Sequence, residues 1–212
     1  MKNRIFCNIL LLIVFSVGIG AQENIHWNPD IEYGSFMDSR NGYVYNTVKI
    51  GNKTWMAENF NLDFGRKGRI YGRDPSNADI YGRLYNWETA RRLAPPGWHL
   101  PSKAEWQELI DFLGGKKVAG GKMKETGTAH WKKTNKDVSN ESGFTALPGG
   151  VLKGGSFDIL IFHYLGSDAY FWCSTKYDNH YSWYLSLPSN GSEIFQSYHY
   201  KYFGCSVRYV KD

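Results

Sequence analysis

The stretch Gly97-Trp98-His99-Leu100-Pro101-Ser102-Lys103-Ala104-Glu105-Trp106 leaves the fold little freedom. Ser102 precedes a run of good helix formers, and Glu105 follows three residues later. That spacing is a capping box, in which side chain and backbone satisfy each other's orphan groups. It predicts a helix over Lys103–Leu113, with Trp106, Leu109, Ile110 and Leu113 on one face and turned to a core. Gly114-Gly115 supplies a left-handed stop. The chain end, Gly204-Cys205-Ser206-Val207-Arg208-Tyr209-Val210-Lys211-Asp212, reads as an apolar strand. Together they imply a domain that tucks its C-terminus into its own sheet.

The first residues belong to a different task. Lys2 and Arg4 precede an apolar run from Ile9 to Val17, followed by the small residues Gly18-Ile19-Gly20-Ala21. That pattern predicts a secretory signal over residues 1–21, cleaved after Gly20 or Ala21. An exported product is expected: periplasmic, surface-associated or secreted, with no membrane span in the mature chain. Cleavage removes two of the 25 basic residues and none of the 20 acidic ones, so the formal charge falls from +5 to +3. The remaining basic residues are scattered, which argues against a nucleic-acid partner. About 190 residues remain, enough for one domain with a sizeable core.

Residues 22–35 read as a flexible lead-in and 36–212 as a single domain. Tyr43–Ile50 and Lys53–Phe60 flank Gly51-Asn52 and predict a β-hairpin. Ile70-Tyr71-Gly72-Arg73 is echoed by Ile80-Tyr81-Gly82-Arg83, which is too little for a repeat architecture. Tyr85–Leu93 predicts a short helix stopped by Pro95-Pro96. Phe171–Thr175, Ser182–Leu187 and Cys205–Val210 read as strands, and Glu193–Tyr198 returns on the second of them as a hairpin. Short helices early and strands late give an α+β class with a small, twisted antiparallel sheet.

Several ordered landmarks carry a family resemblance. They are Val48–Asn59, Tyr81–Trp87, Pro95–Ser102, Asn140–Phe144, Ala146–Gly150 and the final Ser206-Val207-Arg208. On these the chain resembles the Fibrobacter succinogenes major paralogous domain, a family of exported proteins common in Bacteroidetes and Fibrobacteres. A more distant likeness joins Leu100-Pro101-Ser102-Lys103-Ala104-Glu105-Trp106 and Gly154-Gly155-Ser156-Phe157 to formylglycine-generating-enzyme-type and C-type-lectin-like domains. It implies a loop-rich, C-type-lectin-like build.

The family resemblance also implies four cysteines at positions that here hold Ile70, Ala78, Ala94 and Tyr209. Cys173 and Cys205 remain in the mature chain. An even count in an exported protein, on two strands of one closing sheet, predicts a Cys173–Cys205 disulfide stabilising the fold by about 3–4 kcal/mol. Two buried free thiols are the alternative. An oxidase of the formylglycine-generating type needs paired thiolates, which the likeness would place near Ile159 and Tyr164, and neither side chain can supply one. His26, His99, His130, His163, His180 and His199 show no metal-ligand spacing. No metal, cofactor or catalytic residue is therefore expected, and the chain reads as a non-enzyme. An oxidase relative without its cysteines is the weaker alternative.

Aromatic residues make up 17% of the chain, with 8 Trp and 15 Tyr. Such rings either fill the core of a loop-rich domain or form a platform that stacks on sugars or partner side chains. The residues expected to form a ligand platform are Tyr181, Trp183, Tyr184, Tyr198, Tyr200 and Tyr202, with Asn179 and Gln196 giving direction. Tyr198, Tyr200 and Tyr202 alternate and would share one strand face. The expected ligand is a glycan or a surface protein. The competing use is a structural subunit of a surface assembly, and burial of the same rings under loops is the bland outcome.

Overall fold

β1 (Gly34–Asp38) pairs antiparallel with β2 (Tyr43–Ile50), which turns at Gly51-Asn52 into β3 (Lys53–Met56). This is a computed structural model describing residues 25–133, 137–156 and 159–212, and the expected signal peptide lies outside them. Gly51 holds φ 59°, the left-handed conformation that the tight hairpin turn requires. Short elements follow: β4 (Gly68–Arg69), α1 (Pro75–Tyr81), β5 (Leu84–Tyr85), α2 (Trp87–Arg92), β6 (Trp98–His99), α3 (Lys103–Phe112) and α4 (Ala119–Met123). The rest is mainly strand: β7 (Val151–Ser156), β8 (Ile159–His163), β9 (Asp168–Lys176), β10 (Tyr181–Pro188), β11 (Phe195–Tyr200) and β12 (Val210–Lys211). The class is α+β. One sheet runs β1-β2-β3-β12-β6, so the C-terminal strand is inserted between two earlier ones. A second runs β11-β10-β9.

α3 forms as its cap dictates. Ser102 Oγ accepts from the Glu105 amide at 3.2 Å, and Glu105 Oε2 accepts from the Ser102 amide at 2.8 Å. Gly114 takes φ 98° after the last turn, and the Gly115 amide donates back to Ile110 O at 2.8 Å. The segment between the two Tyr-Gly-Arg echoes folds as α1. Asp74 caps it by accepting from the Ser76 amide, and Pro75 occupies its first turn. Residues 25–35, expected as a loose lead-in, pack onto the domain. Ile25 is buried, Asn28 Nδ2 donates to Asn140 O at 3.1 Å, and Trp27 meets Tyr33 edge-on.

β9 divides the interior. Its alternation sends Phe171 and Cys173 into one apolar cluster with Trp55, Trp106, Ile110 and Phe144. Tyr170 and Trp172 enter another with Phe60, Tyr85, Trp87 and Tyr209. The buried indoles are satisfied: Trp87 Nε1 donates to Cys173 O at 2.7 Å and Trp172 Nε1 to Tyr85 O at 2.8 Å.

The same alternation corrects the expected disulfide, since Cys173 and Cys205 are both free and buried. Phe171 lies beside Ser206 in an isolated parallel bridge, and the Ser174 amide then donates to Pro101 O, so the pairing ends before Cys173. Cys173 packs in the first cluster and Cys205 in the second. Burial pushes both thiols up, so neither is poised as a thiolate.

Candidate functional site

The β10–β11 register decides which of the expected platform residues meet. Tyr181 faces Tyr200, Trp183 faces Tyr198, and Leu185 faces Gln196. These pairs share one sheet face, where opposed side chains touch. Tyr198 and Tyr200 therefore lie side by side as alternation predicts. Tyr202 stands in the turn after β11 and stacks on Tyr200 with centroids 5.0 Å apart at 18°. Tyr177, at the end of β9, stacks on Tyr198 at 4.0 Å and 12°. Tyr181 lies 4.3 Å from Tyr200, and Trp183 meets Tyr177 edge-on at 5.6 Å. The result is a ladder of rings from Trp183 to Tyr202.

The ladder is open to solvent. Tyr177, Tyr198, Tyr200 and Tyr202 are 49%, 42%, 38% and 51% exposed, well beyond what core rings show here. At its inner end Trp183 is half-buried against the core, with the Lys103 ammonium 3.4 Å from the ring centroid. A hydrogen bond shared with Tyr200 pushes the Tyr181 phenol up to about 12. That hydroxyl stays neutral at physiological pH and keeps a donor.

Tyr184 does not join this face. It pairs with Ser197 and points to the other side of the sheet, stacked on His199 at 4.8 Å and packed near Tyr170. Burial, reinforced by Lys153, lowers His199 to about 4, so its ring is neutral there. Odd–even alternation along β10 already separates Tyr184 from Tyr181 and Trp183, so the signal was present in the sequence. Asn179 is exposed in the turn between β9 and β10. Its carbonyl, like that of Asp178, accepts from Lys201 Nζ, which fastens this turn to the end of β11. Gln196 lies on the ladder face next to Leu185, and its Nε2 is buried without a partner among the described residues. Lys103 is the contributor missing from the expected set. The β9 turn alone brings Tyr177 over Tyr198.

Among the described residues, no group of three or more His, Cys, Asp or Glu is placed to hold a metal ion. No helix there is long and apolar enough to cross a membrane.

The family model of the Fibrobacter succinogenes major domain matches residues 48–211. The chain belongs to that family. No curated protein and no solved structure matches it. Three of the landmarks, Val48–Asn59, Asn140–Phe144 and Ser206-Val207-Arg208, meet around the buried Arg208. The Arg208 guanidinium donates from Nε to Asn59 Oδ1 at 2.7 Å. It donates from Nη1 to Phe144 O at 2.9 Å and Met56 O at 3.2 Å, and from Nη2 to Thr145 O at 2.9 Å. It also lies 4.7 Å from the Phe144 ring centroid. These three landmarks tie distant parts of the chain together, while the rings of the ladder lie on β10, β11 and the turns beside them.

Proposed function

We propose that this chain is an exported, non-enzymatic binding domain of C-type-lectin-like build that recognises glycan through the Trp183–Tyr202 ring ladder. The carrying observation is the ladder itself, stacked tyrosines about half exposed at one end of a sheet face that sinks into the core at Leu185 and Leu187. Rigid rings offer apolar area at low entropic cost, which suits the flat faces of sugars. Lys103 and the Tyr181 hydroxyl supply direction at its edges. The signal-like residues 1–21 support export to the periplasm, cell surface or medium.

A second reading has its own support. β11 is the edge of its sheet, and no strand pairs with its outer side among the described residues. An open edge beside exposed rings can take a strand from a protein partner, as a subunit of a surface assembly would.

A glycan array with the purified domain tests the first reading. Binding should occur and should fall by about tenfold or more in Trp183→Ala and Tyr200→Ala, with folding unchanged. Absence of any glycan hit, together with capture of a partner that the same substitutions release, would replace it with the assembly reading.

A further inference from the structure

The ladder ends beside a groove that the sequence scattered. Tyr202 lines a depression of about 180 Å³ with Arg66, Lys67, Arg69 and Leu160. An adjoining one of about 370 Å³ shares Arg66, Arg69 and Leu160 and adds Arg73 and Arg83. The two Tyr-Gly-Arg echoes explain how the last two arrive together. Gly72 and Gly82 hold φ 62° and 67°, and each turn delivers its following arginine to the same wall. Gly82 admits no side chain, because a Cβ there would come within 2.8 Å of Phe60 O. Arg73 itself holds φ 61°, a conformation that a residue with a Cβ adopts only at a cost.

The charge in this groove is largely uncompensated. Asp63 meets Arg83 at 2.8 Å, and Asp74 caps α1. Arg66, Lys67, Arg69 and Arg73 have no carboxylate partner among the described residues. Like charges converging on one concavity repel one another, and an incoming anion relieves that repulsion. Arginine forks match carboxylates and sulfates with paired hydrogen bonds. Leu84, Leu152 and Leu160 add apolar lining, and Tyr202, stacked on Tyr200, makes the groove continuous with the rings. A sugar stacked on Tyr200 and Tyr202 therefore has its neighbours directed toward the cations.

We propose that the groove and the ladder form one extended site for an acidic polysaccharide bearing carboxylate or sulfate groups. This rests on the glycan reading of the ladder. The full exported chain is titrated with polygalacturonate, with heparin as the sulfated probe, with carboxyl-reduced polygalacturonate as the neutral counterpart, and with polyglutamate as an acidic polypeptide. Polygalacturonate or heparin should bind at least about tenfold more tightly than the neutral polymer and weaken steeply with salt. The exposed pair Arg66→Gln/Lys67→Gln should remove that preference while leaving weak neutral-polymer binding intact. Arg69→Gln should act in the same direction. Trp183→Ala/Tyr200→Ala should weaken both acidic and neutral glycans. Equal binding of acidic and neutral polymers would overturn this inference and leave the ladder reading standing. Loss of all glycan binding would overturn both. Tighter binding of polyglutamate than of either acidic glycan would reassign the groove to an acidic protein segment.

Discussion

Arg208 brings a cation to the centre of the domain and meets only neutral acceptors at hydrogen-bond distance. Burial lowers its guanidinium to about 9. Its partners tie the Val48–Asn59 and Asn140–Phe144 landmarks to the chain end. Asn140 Oδ1 accepts from the Thr145 amide at 3.0 Å and holds the loop whose carbonyls receive the arginine. Gly143, at φ 68°, lets that loop press against Ile31 and Val48. Arg208→Met keeps most of the volume and strands four buried acceptors, so it should destabilise by about 3–5 kcal/mol in chemical denaturation. A loss below about 1 kcal/mol would show that the acceptors find other donors. The cysteines show what cannot be read at this scale. Their identities and even count suggest a bridge, yet the β9 register sends them into different clusters, and register is a tertiary property.

At the scale of elements, the capping box and the β2–β3 hairpin were legible because a few adjacent residues determine each. α1 was not, since the Tyr-Gly-Arg echo hid the Asp74-Pro75 helix start that alone would have signalled it. β12 is held by a network that no local pattern reveals. His99 lies between Asp212, 2.5 Å from Nδ1, and Glu105, 2.8 Å from Nε2, with Lys53 3.1 Å from the same Glu105 oxygen. Burial pulls the imidazole down, but the hydrogen bonds to Asp212 and Glu105 outweigh it and raise His99 above its ordinary 6.5. Burial likewise opposes ionisation of Glu105, while the Ser102 amide, His99 and Lys53 hold it at about 2. The His99 contribution is complete below the unfolded value near pH 6.5 and fades as pH rises through the higher folded one. The Glu105 contribution is present above its ordinary 4.5 and is lost as pH falls toward about 2. Urea midpoints should therefore decline as pH rises above about 6.5 in the wild type and stay flatter in His99→Gln. Parallel profiles for the two proteins would remove His99 from the latch.

At the scale of the molecule, aromatic residues divide by depth. Six tryptophans are buried, while the exposed tyrosines Tyr177, Tyr198, Tyr200 and Tyr202 collect along β11 and the turns beside it. Composition announced the abundance of rings but not this division, because exposure depends on which sheet face the core covers. Alternation along β11 made Tyr198 and Tyr200 legible as neighbours, whereas the seat of Tyr202 follows from a turn. The arginine groove was illegible for the same reason: residues 66–83 meet Leu160 of β8 only after the chain folds back. The account's central claim is that the ring ladder is the surface that holds a ligand. Aromatic NMR shifts recorded while the best array glycan is titrated test it directly. Changes should concentrate on Tyr177, Tyr181, Trp183, Tyr198, Tyr200 and Tyr202 and spare Tyr184 and the buried tryptophans. Saturable binding that leaves those six rings unmoved, with shifts elsewhere on the surface, would contradict it.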